Sequence, residues 1–144
     1  MQIIDSGTLA FAAHHALKDQ VKYPLTYQLP LMILKIFNES NDCLVVFWDG
    51  EDLWKRELWR DYRNRPEIWE EASLFHFNTA FKVFNALGVV QFRTRGVEVD
   101  EQVAALVHAL DGSEPLLIRS DDKDFMQLLS DTTWMHGRVR GIVR

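Results

Sequence analysis

The sequence predicts an α/β fold, a three-layer sandwich around a mainly parallel central sheet. Short apolar runs alternate with segments of helical periodicity, which is the order expected of strands joined by helical crossovers. The run Cys43–Trp48 is apolar throughout, as is typical of a strand buried on both faces of a parallel sheet. With 144 residues and 47% apolar content, residues 1–144 are predicted to form a single domain with its own core.

Each element follows from a local pattern. Strands are predicted at Gln2–Ile4, Cys43–Trp48, Val89–Phe92, Leu116–Ile118 and Thr132–Met135. Helices are predicted at Thr8–Leu17, Leu29–Phe37, Pro66–Leu87, Val97–Leu110 and Asp122–Leu129. Pro30 suits the first turn of the second of these helices, and Gly88 suits the C-terminal cap of the third.

Composition and charge limit the classes of function that the chain can have. The net charge of −5 argues against an indiscriminate nucleic-acid binder. Cys43 is the single cysteine, which excludes an intramolecular disulfide, and its apolar surroundings predict that it packs in the core. The N-terminus lacks a basic region, and no apolar run is long enough to span a membrane, so we expect a cytoplasmic protein without a membrane partner.

Seven carboxylates lie where the predicted strands end, on segments that a parallel sheet brings to one edge. They are Asp5, Asp49, Glu98, Asp100, Glu101, Asp122 and Asp124. Oxygen ligands of this kind suit Mg²⁺ or Mn²⁺ rather than zinc. Each acid alone has a simpler interpretation: Asp122 as a helix N-cap, or Glu98 and Glu101 as acids favoured by a helix dipole. As a set they predict a metal centre.

Five blocks of sequence, in order, resemble the 5′ nuclease family. Ile4–Phe11 resembles I-D-G-N-N-L-A-Y, and Phe47–Gly50 resembles F-D-G. Trp54–Pro66 resembles F-R-x-E-L with Y-K-x-N-R-P. Leu87–Glu101 resembles L-G-I with G-Y-E-A-D-D, and Ser120–Phe125 resembles S-G-D-K-D-L. The family includes flap endonucleases, bacteriophage 5′–3′ exonucleases and the N-terminal nuclease domain of bacterial DNA polymerase I, all with a PIN-like fold.

The resemblance implies a role for each acid. Asp5, Asp49, Glu98 and Asp100 correspond to ligands of a first metal ion, and Glu101, Asp122 and Asp124 to ligands shared with a second ion or belonging to it. Two-metal hydrolysis of a DNA phosphodiester bond is then expected, without a side-chain base. Lys123 either orients the scissile phosphate or pairs with Asp122 or Asp124.

The basic stretch after the second strand corresponds to the family's arch, at about residues 51–70. The resemblance implies substrate contacts from Lys55, Arg56, Tyr62, Arg63 and Arg65, with Tyr62 stacking on an unpaired base. Trp54 and Trp59 belong either to that platform or to packing within the arch.

Two departures leave alternatives open. Glu101 stands where the family has Asp, and the duplex-binding helix–three-turn–helix part of the relatives has no counterpart in these 144 residues. We therefore expect a nuclease acting on DNA with a free 5′ end or 5′ flap in a bacterial or phage-infected cell, with a separate polypeptide as one source of duplex binding. The alternatives are a DNA-binding accessory domain with little cleavage, and a PIN-type ribonuclease.

Overall fold

The structure, a computed structural model, describes residues 1–17, 23–40, 42–51, 53–62, 71–137 and 141–144; for residues 17, 24 and 71–76 it describes the backbone alone. The strands are β1 Gln2–Asp5, β2 Leu44–Trp48, β3 Val90–Arg93, β4 Leu116–Arg119, β5 Thr133–Gly137 and β6 Gly141–Val143. The helices are α1 Ser6–Leu17, α2 Pro24–Ser40, α3 Lys55–Leu58, α4 Glu71–Ala86 and α5 Val99–Leu110, with a 3₁₀ helix at Lys123–Leu128.

The strands form one six-stranded sheet in the order β3-β2-β1-β4-β5-β6. All neighbouring strands are parallel except β5 and β6, which are antiparallel. Helices cover the sheet on both faces, and the side chains that alternate along β1 and β2 join two separate core clusters. The predicted three-layer α/β fold with a mainly parallel sheet is confirmed.

Strand β2 shows this alternation clearly. Val46 and Trp48 pack against α1, α2 and α4, whereas Val45 and Phe47 pack toward α5 on the other face. All five residues of β2 are buried, as the continuous apolar run predicts. Within the described residues, no helix combines the length and the hydrophobicity needed to cross a bilayer.

Two expectations from the sequence are wrong. Pro30 does not lie near the start of its helix, because α2 begins at Pro24 and leaves Pro30 in the interior. Pro24 takes the first helical position, where the missing N–H costs nothing. Cys43 is exposed rather than in the core, since β2 begins after it and only its carbonyl joins the sheet, accepting from the Gln2 amide at 2.8 Å.

Other elements differ at their ends. Helix α4 ends at Ala86 and Gly88 takes a φ of 73°, so the predicted terminator is confirmed, while the predicted start near residue 66 lies outside the described residues. The short elements α3 and β6 were not predicted from the sequence. The predicted helix after β4 is a 3₁₀ helix.

The register of the sheet places the acids. Asp5 pairs with Phe47 of the neighbouring strand, so Asp49 follows two positions beyond that pair. Ile4 pairs with Arg119, which brings Ser120 to the level of Asp5. The carboxyl ends of β1, β2 and β4 therefore meet at one edge, which is where parallel sheets bind ligands.

Candidate metal centre and nucleic-acid interface

Three carboxylates come together at the start of α5. Glu98, Asp100 and Glu101 each offer an oxygen, and these atoms all lie within 4.8 Å of one another. Glu98 precedes the helix and is 1% exposed. Burial raises the pKa of Asp100, and the negative charge of Glu98 raises it further. We call Glu98, Asp100 and Glu101 the three-acid group; its mutual repulsion favours a bound cation.

The same acids also stabilise the start of the helix. The Glu98 amide donates to Oε2 of Glu101 at 3.0 Å, and the Glu101 amide donates to Oδ1 of Asp100 at 3.0 Å. Carboxylates satisfy amides that the first turn leaves without helical partners. The helix-start interpretation is therefore confirmed, and it coexists with the grouping of ligand atoms.

Asp49 is tied to this group through the backbone of α5. Its Oδ1 accepts from the Val99 amide at 2.9 Å, and its carbonyl accepts from Nε of Arg93 at 3.1 Å. The next residue, Gly50, donates its amide to the carbonyl of Val97 at 2.9 Å. The end of β2 and the loop that precedes α5 are thus held side by side.

The side chain of Gln102 holds this junction together. Gln102 was not among the functional residues predicted from the sequence. Its buried Nε2 donates to the carbonyl of Trp48 at 2.9 Å, and its Oε1 accepts from the Thr94 amide at 3.1 Å. The available signal was an uncharged polar residue beside Val103 on the apolar side of an amphipathic helix. A buried amide of this kind is found where it satisfies backbone groups.

Asp5 is held in a second, separate network. Its carboxylate is buried and accepts from the amides of Gly7 at 2.9 Å and Thr8 at 3.3 Å. The hydroxyls of Thr8 and Ser120 each donate to its Oδ2 at 2.6 Å. Thr8 and Ser120 lie inside the motif blocks of the sequence, but nothing in the sequence assigned them this contact.

Asp122 continues that network toward solvent. Its amide donates to Oγ of Ser120 at 3.0 Å, and its Oδ1 accepts from the Asp124 amide at 3.0 Å. Asp122 therefore is the N-cap of the 3₁₀ helix, as its simpler interpretation holds. Lys123 is exposed and, within the described residues, forms no ion pair with either aspartate, so that alternative is wrong. The Asp122 carboxylate turns instead to the backbone of the helix it caps.

The seven predicted ligands are therefore only partly assembled. Asp5, Asp49, Asp122 and Asp124 do not belong to the three-acid group. That group combines Glu98 and Asp100 of the predicted first metal site with Glu101 of the predicted second. The division of ligands between two ions stays a prediction.

The predicted arch contacts the acids directly. The ammonium of Lys55 pairs with Oε2 of Glu98 and lies 3.3 Å from Oε1 of Glu101. The Tyr62 hydroxyl donates to the same Glu98 oxygen at 2.8 Å, and Nε1 of Trp54 donates to Glu101 at 3.2 Å. Burial alone lowers the pKa of Lys55, but the hydrogen bonds and charges of Glu98 and Glu101 outweigh it and raise that pKa.

The remaining predicted substrate contacts are exposed or undescribed. Arg56 is exposed, while Arg63 and Arg65 lie outside the described residues. Trp54 is 45% exposed and Trp59 is 62% exposed, with the Trp59 ring centroid 5.9 Å from that of Tyr62. Neither tryptophan is part of the core, and ring faces open to solvent suit stacking on a base.

We expect Ser120→Ala to lower the free energy of unfolding by about 2 kcal/mol, because it removes a buried donor to Asp5 and the acceptor of the Asp122 amide. Urea unfolding followed by circular dichroism measures the change. Ser113→Ala, at an exposed turn, is the control and should lie within about 0.5 kcal/mol of the parent. Equal stability of the two variants would contradict the assigned role of Ser120.

The chain is similar in sequence to known exonucleases. Residues 1–142 match the family described as “5′-3′ exonuclease, N-terminal resolvase-like domain”. A 5′-3′ exonuclease of Buchnera aphidicola subsp. Acyrthosiphon pisum is 21% identical over 100 residues, which are 69% of this chain and 35% of that protein. DNA polymerase I of Deinococcus radiodurans is 24% identical over 136 residues, 90% of this chain and 14% of that protein. The chain thus spans about a third or less of the length of these relatives.

Solved structures show the same fold. The T5 5′-exonuclease with bound zinc has a TM-score of 0.77 and 19% identity, and the match covers 100% of this chain and 57% of that one. A T5 flap endonuclease complex with DNA and metal ions has a TM-score of 0.78 and 20% identity, over 99% of this chain and 57% of that one. These likenesses confirm the PIN-like fold expected from the sequence.

Proposed function

Because the chain belongs to the 5′–3′ exonuclease family through its N-terminal resolvase-like domain, we propose that it is a divalent-metal-dependent nuclease domain that hydrolyses DNA phosphodiester bonds. DNA with a free 5′ end or a 5′ flap is the proposed substrate. The observation that carries the proposal is the three-acid group at the carboxyl edge of a parallel sheet, beside Asp49.

The ligands suit Mg²⁺ or Mn²⁺. The three-acid group offers carboxylate oxygens alone, which hard divalent cations prefer, and no histidine or cysteine of the described residues joins it. The ammonium of Lys55 on Glu98 reflects the demand for positive charge at this place. Two such ions, when bound, supply an activated water and charge stabilisation for an in-line displacement.

The protein's own part is to hold the acids and to position the strand. Asp5, fixed by Thr8 and Ser120, and Asp49, fixed by the Val99 amide, keep their carboxylates in one orientation. The cationic side chain of Arg56 and the exposed ring of Trp59 offer phosphate pairing and base stacking next to the acids. DNA in the T5 flap endonuclease complex supports this choice of substrate.

The proposal is tested by cleavage of 5′-flap DNA, single-stranded DNA and RNA in Mg²⁺ or Mn²⁺, with chelator as the metal-free arm. We expect the Asp49→Asn, Asp122→Asn double variant to cut flap DNA at least about a hundredfold more slowly, because two ligand carboxylates lose their charge. The matched control is Asp111→Asn, Asp131→Asn, which makes the same change at two exposed aspartates.

The outcomes separate the alternatives. Cleavage that is equal in the two double variants, or that persists in chelator, would rule out the proposed metal centre. Faster cleavage of RNA than of flap DNA would favour a PIN-type ribonuclease. Metal-independent DNA binding without cleavage would favour an accessory domain. The contacts of Lys55 and Tyr62 with Glu98 are compatible with that alternative, because they neutralise the acid without a metal.

A further inference from the structure

Three side chains of one segment fasten it to the three-acid group. The segment comprises residues 53–62 and contributes Trp54, Lys55 and Tyr62. Oε2 of Glu98 accepts from both Lys55 and Tyr62, and Oε1 of Glu101 accepts from Trp54 and lies 3.3 Å from the Lys55 ammonium. Both carboxylates belong to the three-acid group, whose oxygens are the candidate metal ligands.

A divalent ion and the Lys55 ammonium compete for the carboxylates of Glu98 and Glu101. Both are cations, and their repulsion at contact distance in a site as buried as Glu98 is only weakly screened by water. The Lys55 side chain is 24% exposed, so its flexible stem has solvent into which it can swing. One cation therefore replaces the other.

We propose that Lys55 is a built-in counter-cation of the three-acid group, and that metal binding displaces it and detaches residues 55–62 from the acids. The inference rests on the proposed metal dependence. The start of the segment stays in place, because the Trp54 amide donates to the carbonyl of Gly96 at 3.1 Å and the Gly96 amide donates to the backbone carbonyl of Glu51 at 2.7 Å. Those backbone bonds do not involve the acids.

The displacement has a consequence for the order of binding. Lys55 and Tyr62 contact Glu98 in the arrangement that the metal would displace, so they become available to a DNA strand after the metal has entered. Thermodynamic reciprocity requires that Lys55 weaken metal binding by the same factor by which metal weakens the Lys55 contact. The segment and the metal centre are then coupled through two shared carboxylates, those of Glu98 and Glu101.

The test compares Mn²⁺ affinity, measured from the electron paramagnetic resonance signal of free Mn²⁺, in Lys55→Met and in Arg60→Met. Arg60→Met removes the same charge from an exposed position of the same segment and so corrects for the general electrostatic field. We expect Lys55→Met to bind Mn²⁺ about tenfold more tightly than Arg60→Met, because the competing state is removed.

Hydrogen exchange supplies a second readout that needs no variant. In the parent protein, Mn²⁺ should speed exchange of the amides of Arg56, Glu57, Trp59 and Tyr62, which are bonded within the segment. Equal Mn²⁺ affinities in the two variants, or exchange unchanged at saturating Mn²⁺, would overturn the inference while leaving metal-dependent cleavage intact. Absence of Mn²⁺ binding together with absence of metal-dependent cleavage would overturn both this inference and the proposed function.

Discussion

Replacing Gly50 by Ala should lower the free energy of unfolding by about 3 kcal/mol and slow metal-dependent cleavage at least about a hundredfold. A Cβ atom at this position would lie 2.0 Å from the carbonyl oxygen of Thr94 and 2.8 Å from that of Val97. Both atoms belong to the backbone, so the loop itself must move. Because Asp49 precedes Gly50 and Glu98 follows Val97, the movement separates the carboxylates that the site brings together.

The matched control is Gly88→Ala, which changes a glycine where no atom lies within 4 Å of the added Cβ but where φ is +73°. Left-handed backbone at the end of α4 costs an alanine about 1 kcal/mol, and the site is not displaced. Urea unfolding and single-turnover cleavage of flap DNA measure the two effects. If Gly50→Ala matched Gly88→Ala in both, the close approach of the two backbones would have no functional consequence.

The sheet could be predicted from the sequence because its signals are local. The apolar run that became β2 and the periodicity of α5 depend on burial of neighbouring residues. Two features depend instead on where an element starts or stops. They are the start of α2 at Pro24 and the exposure of Cys43 before β2. Such boundaries are set by tertiary packing, which a single sequence does not display.

Part of the candidate site was equally predictable. Glu98, Asp100 and Glu101 lie within four positions at the start of α5, so their grouping follows from local sequence. The convergence of acids from separate strands stays a prediction, because Asp5, Asp49, Asp122 and Asp124 do not belong to the three-acid group. The pairing of Lys55 with Glu98 has no such signal, because 43 positions separate the two residues. The sequence predicted that Lys55 contacts phosphate, whereas the structure directs it to carboxylates. A site that attracts cations attracts a nearby ammonium as well as a metal ion.

Gln102→Leu is the second change expected to have a large effect. It removes the donor to the Trp48 carbonyl and the acceptor of the Thr94 amide, at the junction between β2 and the loop before α5. A buried backbone group left without a partner costs roughly 1–3 kcal/mol, so we expect a loss of about 3 kcal/mol in the free energy of unfolding. Leucine is close to glutamine in size, so the change in buried volume is small.

The effect on function should exceed the loss of folded protein, because Gln102 positions the loop that ends at Glu98 and does not itself offer a ligand in the three-acid group. We expect cleavage per folded molecule to fall about tenfold, as is typical when a residue that orients ligands is removed. Exchange of the Thr94 amide should become faster in the same variant. His108→Leu, at an exposed position of α5, makes a comparable polar-to-apolar change away from the junction and should leave both quantities unchanged. If Gln102→Leu lowered stability but left cleavage and Thr94 exchange at the parent values, Gln102 would contribute to folding alone, and the alignment of Asp49 with Glu98 would have to come from Gly50 and Val99.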